Sequence, residues 1–197
     1  MLRWNLRGQN SSNSVPSSAL PPDALVASYN GSGWAPLKAF LETTSALVVL
    51  GQEVKVLPAF EKEATTILAK MGWKALFAPA VPGEDGRACA GVVVVAARSW
   101  LGLSIPLERS SPVLSPHRAA WALVEVPGLS PFLAVSAYLV VSEGLSQANL
   151  FLLASVGAGI TLARLSFIFG ADFNMELATL AKSSFSEKPR CHQCLGE

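Results

Sequence analysis

Leu165-Ser-Phe-Ile-Phe169, running straight into Gly170-Ala-Asp-Phe-Asn174, is the stretch on which the reading of this chain turns. Its first half is apolar, with two aromatics and a β-branched residue, and it stops at a glycine, which are the marks of a short buried strand. Two polar side chains, Asp172 and Asn174, follow where such a strand should end. A rigid strand that delivers polar groups into a loop is how many α/β scaffolds present a reactive site.

Two upstream stretches repeat the arrangement. Ala46-Leu-Val-Val-Leu50 is another apolar run, and it empties into Gly51-Gln-Glu53. Ala24-Leu-Val-Ala27 delivers Ser28, Tyr29 and Asn30 before the turn signal Gly31-Ser-Gly33. Three strand ends therefore offer Asn30, Glu53, and Asp172 with Asn174.

The intervening sequence supplies helices and further strands. Trp34, Leu37 and Leu41 recur at helical spacing and predict a helix over 34–42; a second over 58–71 starts on Pro58, carries Phe60, Ala64, Ile67, Leu68 and Met71 on one stripe, and stops at Gly72. Strands are expected at 73–77, 89–98, 119–126 and 132–140, with a hairpin turn at 82–87, and a helix at 145–156. Alternation of strands, hairpins and crossover helices predicts an α/β fold built as a layered sandwich.

Composition bounds the rest. A chain of 197 residues with 51% apolar and 15% charged residues is sized for one domain with an extensive core. The net charge of +1 gives no basic field, so charge alone does not argue for a nucleic-acid partner. Residues 1–22, rich in Ser, Asn and Pro, read as a flexible leader, the folded unit as 23–183, and 184–197 as a tail. A mean hydropathy of +0.40 raises the question of membrane insertion. The two long uncharged stretches, 126–142 and 144–163, carry prolines in one and polar residues with three glycines in the other, and read better as buried strand and helix. No positive segment precedes an apolar one at the start, so a secretory signal is not expected. The three cysteines, an odd count, suggest no disulfide framework and point to a reducing, intracellular compartment, cytoplasmic or nuclear. Cys191-His-Gln-Cys194 has zinc-type ligands but only three of them, and reads as a solvated tail with free thiols.

Taken in order, the strand-end residues resemble the endonuclease/exonuclease/phosphatase superfamily, the metal-dependent phosphodiesterases that include abasic-site endonucleases and the endonuclease domains of non-LTR retrotransposons. The resemblance is a series: Asn30, Gln52-Glu53, Ala90-Gly91 before Val92-Val-Val-Val95, Tyr138 within Ser136-Ala-Tyr-Leu139, and Gly170-Ala-Asp-Phe-Asn174. Ala171 stands where the family has a second glycine, which would strain a turn there. Asn5, in Trp4-Asn5, matches the first motif locally, but Asn30 fits the spacing better.

The resemblance implies a DNase I-like sandwich and hydrolysis of a phosphodiester or phosphomonoester with Mg²⁺ or Mn²⁺. It implies Glu53 as metal ligand and Asp172 as the group that orients and deprotonates the attacking water. Asn30 and Asn174 would donate to the phosphate or position the carboxylates, and Tyr138 would offer its hydroxyl to the phosphate or to the metal-bound water. The partners would be nucleic acid or another phosphoester substrate, and no membrane. The family's closing Asp and Asp-His pair find no counterpart after Asp172, so the chain reads as a domain lacking its last strands, possible as an impaired enzyme. The alternatives are an inactive relic of a mobile-element endonuclease that serves as a binding module and, more distantly, a small membrane protein. Each residue also has an ordinary reading: Asn30 as a turn residue, Glu53 as a solvated strand end, Tyr138 as a core aromatic, and Asp172 with Asn174 as an Asx turn capping a helix. His117 reads as a surface-loop residue.

Overall fold

Neighbouring residues on opposite faces of the same strand are both buried, and that decides the layering. Val48, Val49 and Leu50 follow one another along one strand, each no more than 1% exposed. A strand buried on both faces must lie between two layers. The structure, a computed structural model, describes residues 3–5, 25–83, 86–97, 101–104 and 117–175.

In chain order the elements are β1 (Arg3–Asn5), β2 (Leu25–Asn30), α1 (Trp34–Thr43), β3 (Val48–Gln52), α2 (Pro58–Lys70), β4 (Trp73–Ala78), β5 (Val81–Pro82), β6 (Ala88–Cys89), β7 (Val92–Ala97), β8 (Gly102–Ser104), β9 (Ala119–Glu125), β10 (Phe132–Tyr138), α3 (Gln147–Ala163) and β11 (Ser166–Asp172). One sheet has the order β1-β2-β3-β7-β4, the other β11-β10-β9-β8, and β5 with β6 makes a separate two-stranded ladder. The sheets pack face to face through Val26, Val48, Leu50, Val92 and Val94 on one side and Ala120, Ala122, Val124, Phe132, Ala134 and Ile168 on the other.

The opposite faces are covered by helices. Ala27, Val49 and Val93 turn away from the second sheet and meet Leu37 and Leu41 of α1 and Ala64 and Leu68 of α2. Leu133, Val135 and Ala137 meet Leu152, Leu153 and Val156 of α3. The result is a four-layer α/β/β/α sandwich, as the alternation of strands and helices predicts.

Several boundaries differ from the sequence expectation, each for a visible reason. β11 does not end at Phe169: Gly170, Ala171 and Asp172 continue it, paired with Ser136, Ala137 and Tyr138. Ala171 therefore lies in regular strand and needs no glycine-like turn. The expected strand over 89–98 is broken at Ala90 and Gly91, both at positive φ (56° and 85°). α3 starts at its cap Ser146, whose hydroxyl accepts the Asn149 N–H, and runs to Ala163, beyond the expected end. Phe60 leaves the buried stripe of α2 and is 57% exposed. β8 has no sequence signal strong enough to predict it. Arg3–Asn5, placed by composition in a leader, pairs antiparallel with β2 as an edge strand. The expected tail, its Cys191, His192 and Cys194, and the helix expected after Asn174 lie outside the described residues.

The two uncharged stretches resolve as expected from their prolines, glycines and polar groups: one contains β10, buried along its whole length, and the other α3. Among the described residues no helix is long and apolar enough to cross a membrane.

Candidate active site

Two parallel pairings set the geometry. β2 runs parallel to β3 with Asn30 opposite Gln52, and β10 runs parallel to β11 with Tyr138 opposite Asp172. Each pair brings two carboxyl-terminal strand ends side by side, and in open α/β sheets such ends are where ligands bind. Asn5, by contrast, is paired with Leu25, at the far end of β2. That is five residues from Asn30, or roughly 17 Å at about 3.3 Å per residue, so Asn30 and not Asn5 is the asparagine at these strand ends.

A buried polar network joins the two pairs across the sandwich. Gln52 is 2% exposed and Ser136 fully buried. The Gln52 amide donates to Leu50 O (2.9 Å), Ser136 Oγ (3.0 Å) and Gly170 O (3.4 Å), and its oxygen accepts from Ser28 Oγ (3.2 Å). Ser136 Oγ in turn donates to Gly51 O at 2.9 Å. Polar groups buried this deeply persist only when satisfied, and here their partners sit on β2, β3, β10 and β11. Gly170 lets β11 come close enough: a Cβ there would lie 2.8 Å from Leu50 Cδ1 and 3.0 Å from Ser28 Oγ.

Above this network the polar side chains converge. Asn30 Nδ2 donates to Asp172 Oδ2 at 2.6 Å, a bond between residues from different sheets. Asp172 Oδ1 accepts the Asn174 backbone N–H at 3.1 Å, so the Asx turn expected as the ordinary reading is present. Its other oxygen nonetheless faces Asn30. Asn174, at φ 50°, donates its side-chain amide to Leu139 O at 2.8 Å, while the Leu139 N–H donates to Asp172 O at 3.0 Å. The loop after β11 is thus tied to the end of β10.

Tyr138 is 7% exposed. Burial pushes its phenol above the usual value of 10.0, and the Glu53 and Asp172 carboxylates push the same way; the Arg118 guanidinium and a hydrogen bond with Asn174 oppose them. The phenol is therefore a protonated donor at neutral pH. Arg118 was not singled out by the sequence, where no motif surrounds it. It braces Tyr138 from two sides, with Nη1 donating to Tyr138 O (3.3 Å) and Cζ standing 5.6 Å from the ring centroid.

Glu53 adopts a left-handed conformation (φ 55°), as does Lys55 (φ 58°), and their side chains pair at 3.1 Å. Left-handed backbone costs a non-glycine residue about 1–2 kcal/mol, and such residues persist where the surroundings over-determine them. The clamp here is visible: the Val54 and Lys55 N–H groups donate to Gly91 O (2.8 Å) and Ala90 O (3.2 Å), and the Gly91 N–H donates to His117 O (2.9 Å). The kink at Ala90 and Gly91 thereby holds the Glu53 loop against the start of β9. His117, at that junction, is half-buried, and burial together with the Arg118 charge lowers its pKa below 6.5.

The donor set suits a hard cation. No group of three or more His, Cys, Asp or Glu side chains gathers among the described residues, so these form no all-protein cage. Glu53 and Asp172 offer carboxylate oxygens, and Mg²⁺ characteristically takes one or two carboxylates and completes its shell with water and substrate phosphate oxygens.

No family model matches the sequence, and no curated protein matches it. Solved structures do. The chain is similar to ANGEL2, a 2',3'-cyclic phosphatase, with a TM-score of 0.57 at 16% identity, covering 78% of this chain and 46% of that one. It is similar to a humanized TDP2 from D. rerio (TM-score 0.54, 17% identity, 75% of this chain and 60% of that one) and to the human Nocturnin catalytic domain (0.53, 15%, 78% and 59%). The chain spans about half to three-fifths of the length of these structures. It shares with them the layered, DNase I-like α/β fold.

Proposed function

We propose that the chain is a metal-dependent phosphoester hydrolase whose site is the rim formed by the ends of β2, β3, β10 and β11. The observation that carries this reading is the convergence of Asn30, Tyr138, Asp172 and Asn174, with Glu53 beside them, at one end of two sheets joined by the Gln52 network. Such a constellation on this fold matches the order in which the resemblance places them.

Hydrolysis of a phosphoester demands that negative charge on the phosphate be neutralised and that a water be aimed in line with the leaving oxygen. Mg²⁺ or Mn²⁺, held by Glu53 with help from Asp172, supplies Lewis acidity and charge neutralisation when bound. Asp172, fixed by Asn30 and by the Asn174 N–H, orients the attacking water and takes its proton. Tyr138, protonated at neutral pH, donates to a phosphate oxygen. Asn30 holds Asp172 in place, and Asn174 fixes both the loop and the Tyr138 hydroxyl. Arg118 keeps the Tyr138 ring in position and sets a positive charge beside the phenol. Nucleic acid is the substrate class favoured, on the strength of the resemblance.

The test is cleavage of a labelled abasic-site duplex, plasmid DNA and a simple phosphodiester, with Mg²⁺ and with EDTA, by the chain and by Asp172→Ala. Loss of a base of this kind lowers rates by about 10²–10⁴-fold. Metal-dependent turnover that drops by that factor in the variant supports the proposal; a well-folded chain with no metal-dependent turnover on any of the three contradicts it.

A further inference from the structure

Glu53 is the carboxylate assigned to the divalent ion, and a cation of the chain's own already stands on it. Lys55 Nζ lies 3.1 Å from Glu53 Oε1. Both side chains are half-buried, and a pair of this kind adds little to stability. The backbone is nonetheless held in an uncommon shape around it. Glu53 and Lys55 are both left-handed, while Val54 between them is 1% exposed and belongs to the core under α1 and α2.

The lysine is also delivered to the rim from a fixed base. Its backbone N–H donates to Ala90 O at 3.2 Å, beside the bond from the Val54 N–H to Gly91 O at 2.8 Å. Its stem runs past Gly33, where an added Cβ would stand 4.0 Å from Lys55 Cδ, and lines with Trp34 and Leu57 the hollow between α1 and α2. A lysine laid along apolar surface keeps only its charged head at the polar edge, and here that edge holds Glu53.

We propose that Lys55 is a positioning residue for Glu53 and a tethered competitor of the divalent ion. While the ion is away, the ammonium neutralises the Glu53 carboxylate and holds it in place; the ion binds only by turning the ammonium off that carboxylate. The proposal rests on the reading of Glu53 as metal ligand given above and adds what sets the affinity of that ligand. An ammonium on a flexible four-carbon stem can be released to water, so the ion is opposed but not excluded. Because the clamp on the Lys55 backbone keeps the charge nearby, the opposition persists after displacement. A unit charge about 5 Å from a divalent ion weakens its binding by roughly 10-fold even at the dielectric constant of bulk water.

The experiment is Mn²⁺ binding to the full chain, read from the loss of the free-ion paramagnetic resonance signal, for wild type, Lys55→Met, Lys55→Arg and Lys70→Met. Methionine keeps the unbranched stem and removes the charge; arginine keeps the charge. Lys70 ends α2, roughly 18 Å along the helix axis from its start, and reports the effect of net charge alone. Lys55→Met is expected to bind Mn²⁺ about 10-fold more tightly than wild type, with Lys55→Arg and Lys70→Met each within about 2-fold of it. Since Lys55 is half-buried and its ion pair adds little to stability, equal thermal midpoints in EDTA should show that all four proteins fold alike. Lys55→Met binding as wild type does, or more weakly, overturns the proposal and leaves Glu53 as a metal ligand. An equal gain in Lys70→Met overturns it as well, by showing a net-charge effect. Saturable binding in none of the four proteins contradicts the metal reading itself and the proposal with it.

Discussion

Replacing Gln52 by leucine tests whether the two sheets are held in register by the buried network beneath the rim. The side chain is 2% exposed and makes four hydrogen bonds, three of them at 3.2 Å or less. A net contribution of about 1 kcal/mol for each good bond sets the loss at about 3 kcal/mol, and stranding buried acceptors adds to it. Leucine returns about 1 kcal/mol through apolar burial, which leaves a destabilisation of about 2–3 kcal/mol. For a domain of this size that corresponds to a fall in Tm of roughly 4–12 °C. The assay is urea unfolding of wild type, Gln52→Leu, Ser136→Ala and the double variant. Thr66→Ala serves as control, since that residue is exposed on α2 and bonds only within its own helix, to Lys62 O at 2.8 Å. The cycle should give a coupling of about 0.5–3 kcal/mol between Gln52 and Ser136. A Gln52→Leu variant within about 0.5 kcal/mol of wild type, or strictly additive single and double variants, refutes the reasoning.

Two further outcomes follow from particular contacts. Gly170→Ala places a methyl 2.8 Å from Leu50 Cδ1 and 3.0 Å from Ser28 Oγ, and should cost about 1–3 kcal/mol of stability by overpacking; an unchanged urea midpoint would show that β11 can move away freely. His117 has a pKa below 6.5 in the fold, chiefly from burial and then from Arg118, so the unfolded chain binds the extra proton first. Stability from this group is present above pH 6.5 and is lost as the pH falls through the lowered folded value. Urea midpoints measured from pH 7 to 5 should therefore fall less steeply in His117→Gln than in wild type, and identical slopes would exclude His117 as a contributor.

Much of the fold was legible because the strands are short, apolar and bounded by Gly, Pro and Asn, and because α1 and α2 carry apolar residues at helical spacing, although Phe60 of α2 does not join the buried face. What was not legible depends on pairing across the sandwich. β11 continues through Asp172 because β10 offers it backbone partners, which no local propensity of Gly170-Ala171 reports. Arg3–Asn5 forms a strand by adding to an existing edge, against its polar surroundings. Asn30, Glu53, Tyr138, Asp172 and Asn174 were singled out as candidates by their order along the chain, and they lie at the same end of the sandwich. Arg118 and Lys55 were not singled out because each enters the candidate site through a contact with a neighbour, Tyr138 in one case and Glu53 in the other, and nothing in the sequence announces such a contact. The importance of Ser28 and Ser136 was hidden for the same reason: a serine in an apolar strand looks incidental until Gln52 is seen between them.

The central claim is that strand ends from two sheets form one cation and phosphate site, and divalent metal binding tests it most directly. Mn²⁺ titrated into the full chain, followed by the loss of its free electron paramagnetic resonance signal, should show one saturable site that inorganic phosphate strengthens. That site should be abolished by Glu53→Gln and weakened by Asn30→Ala, which removes the 2.6 Å bond holding Asp172. Absence of saturable binding in the folded wild type, or binding indifferent to both substitutions, would contradict the account.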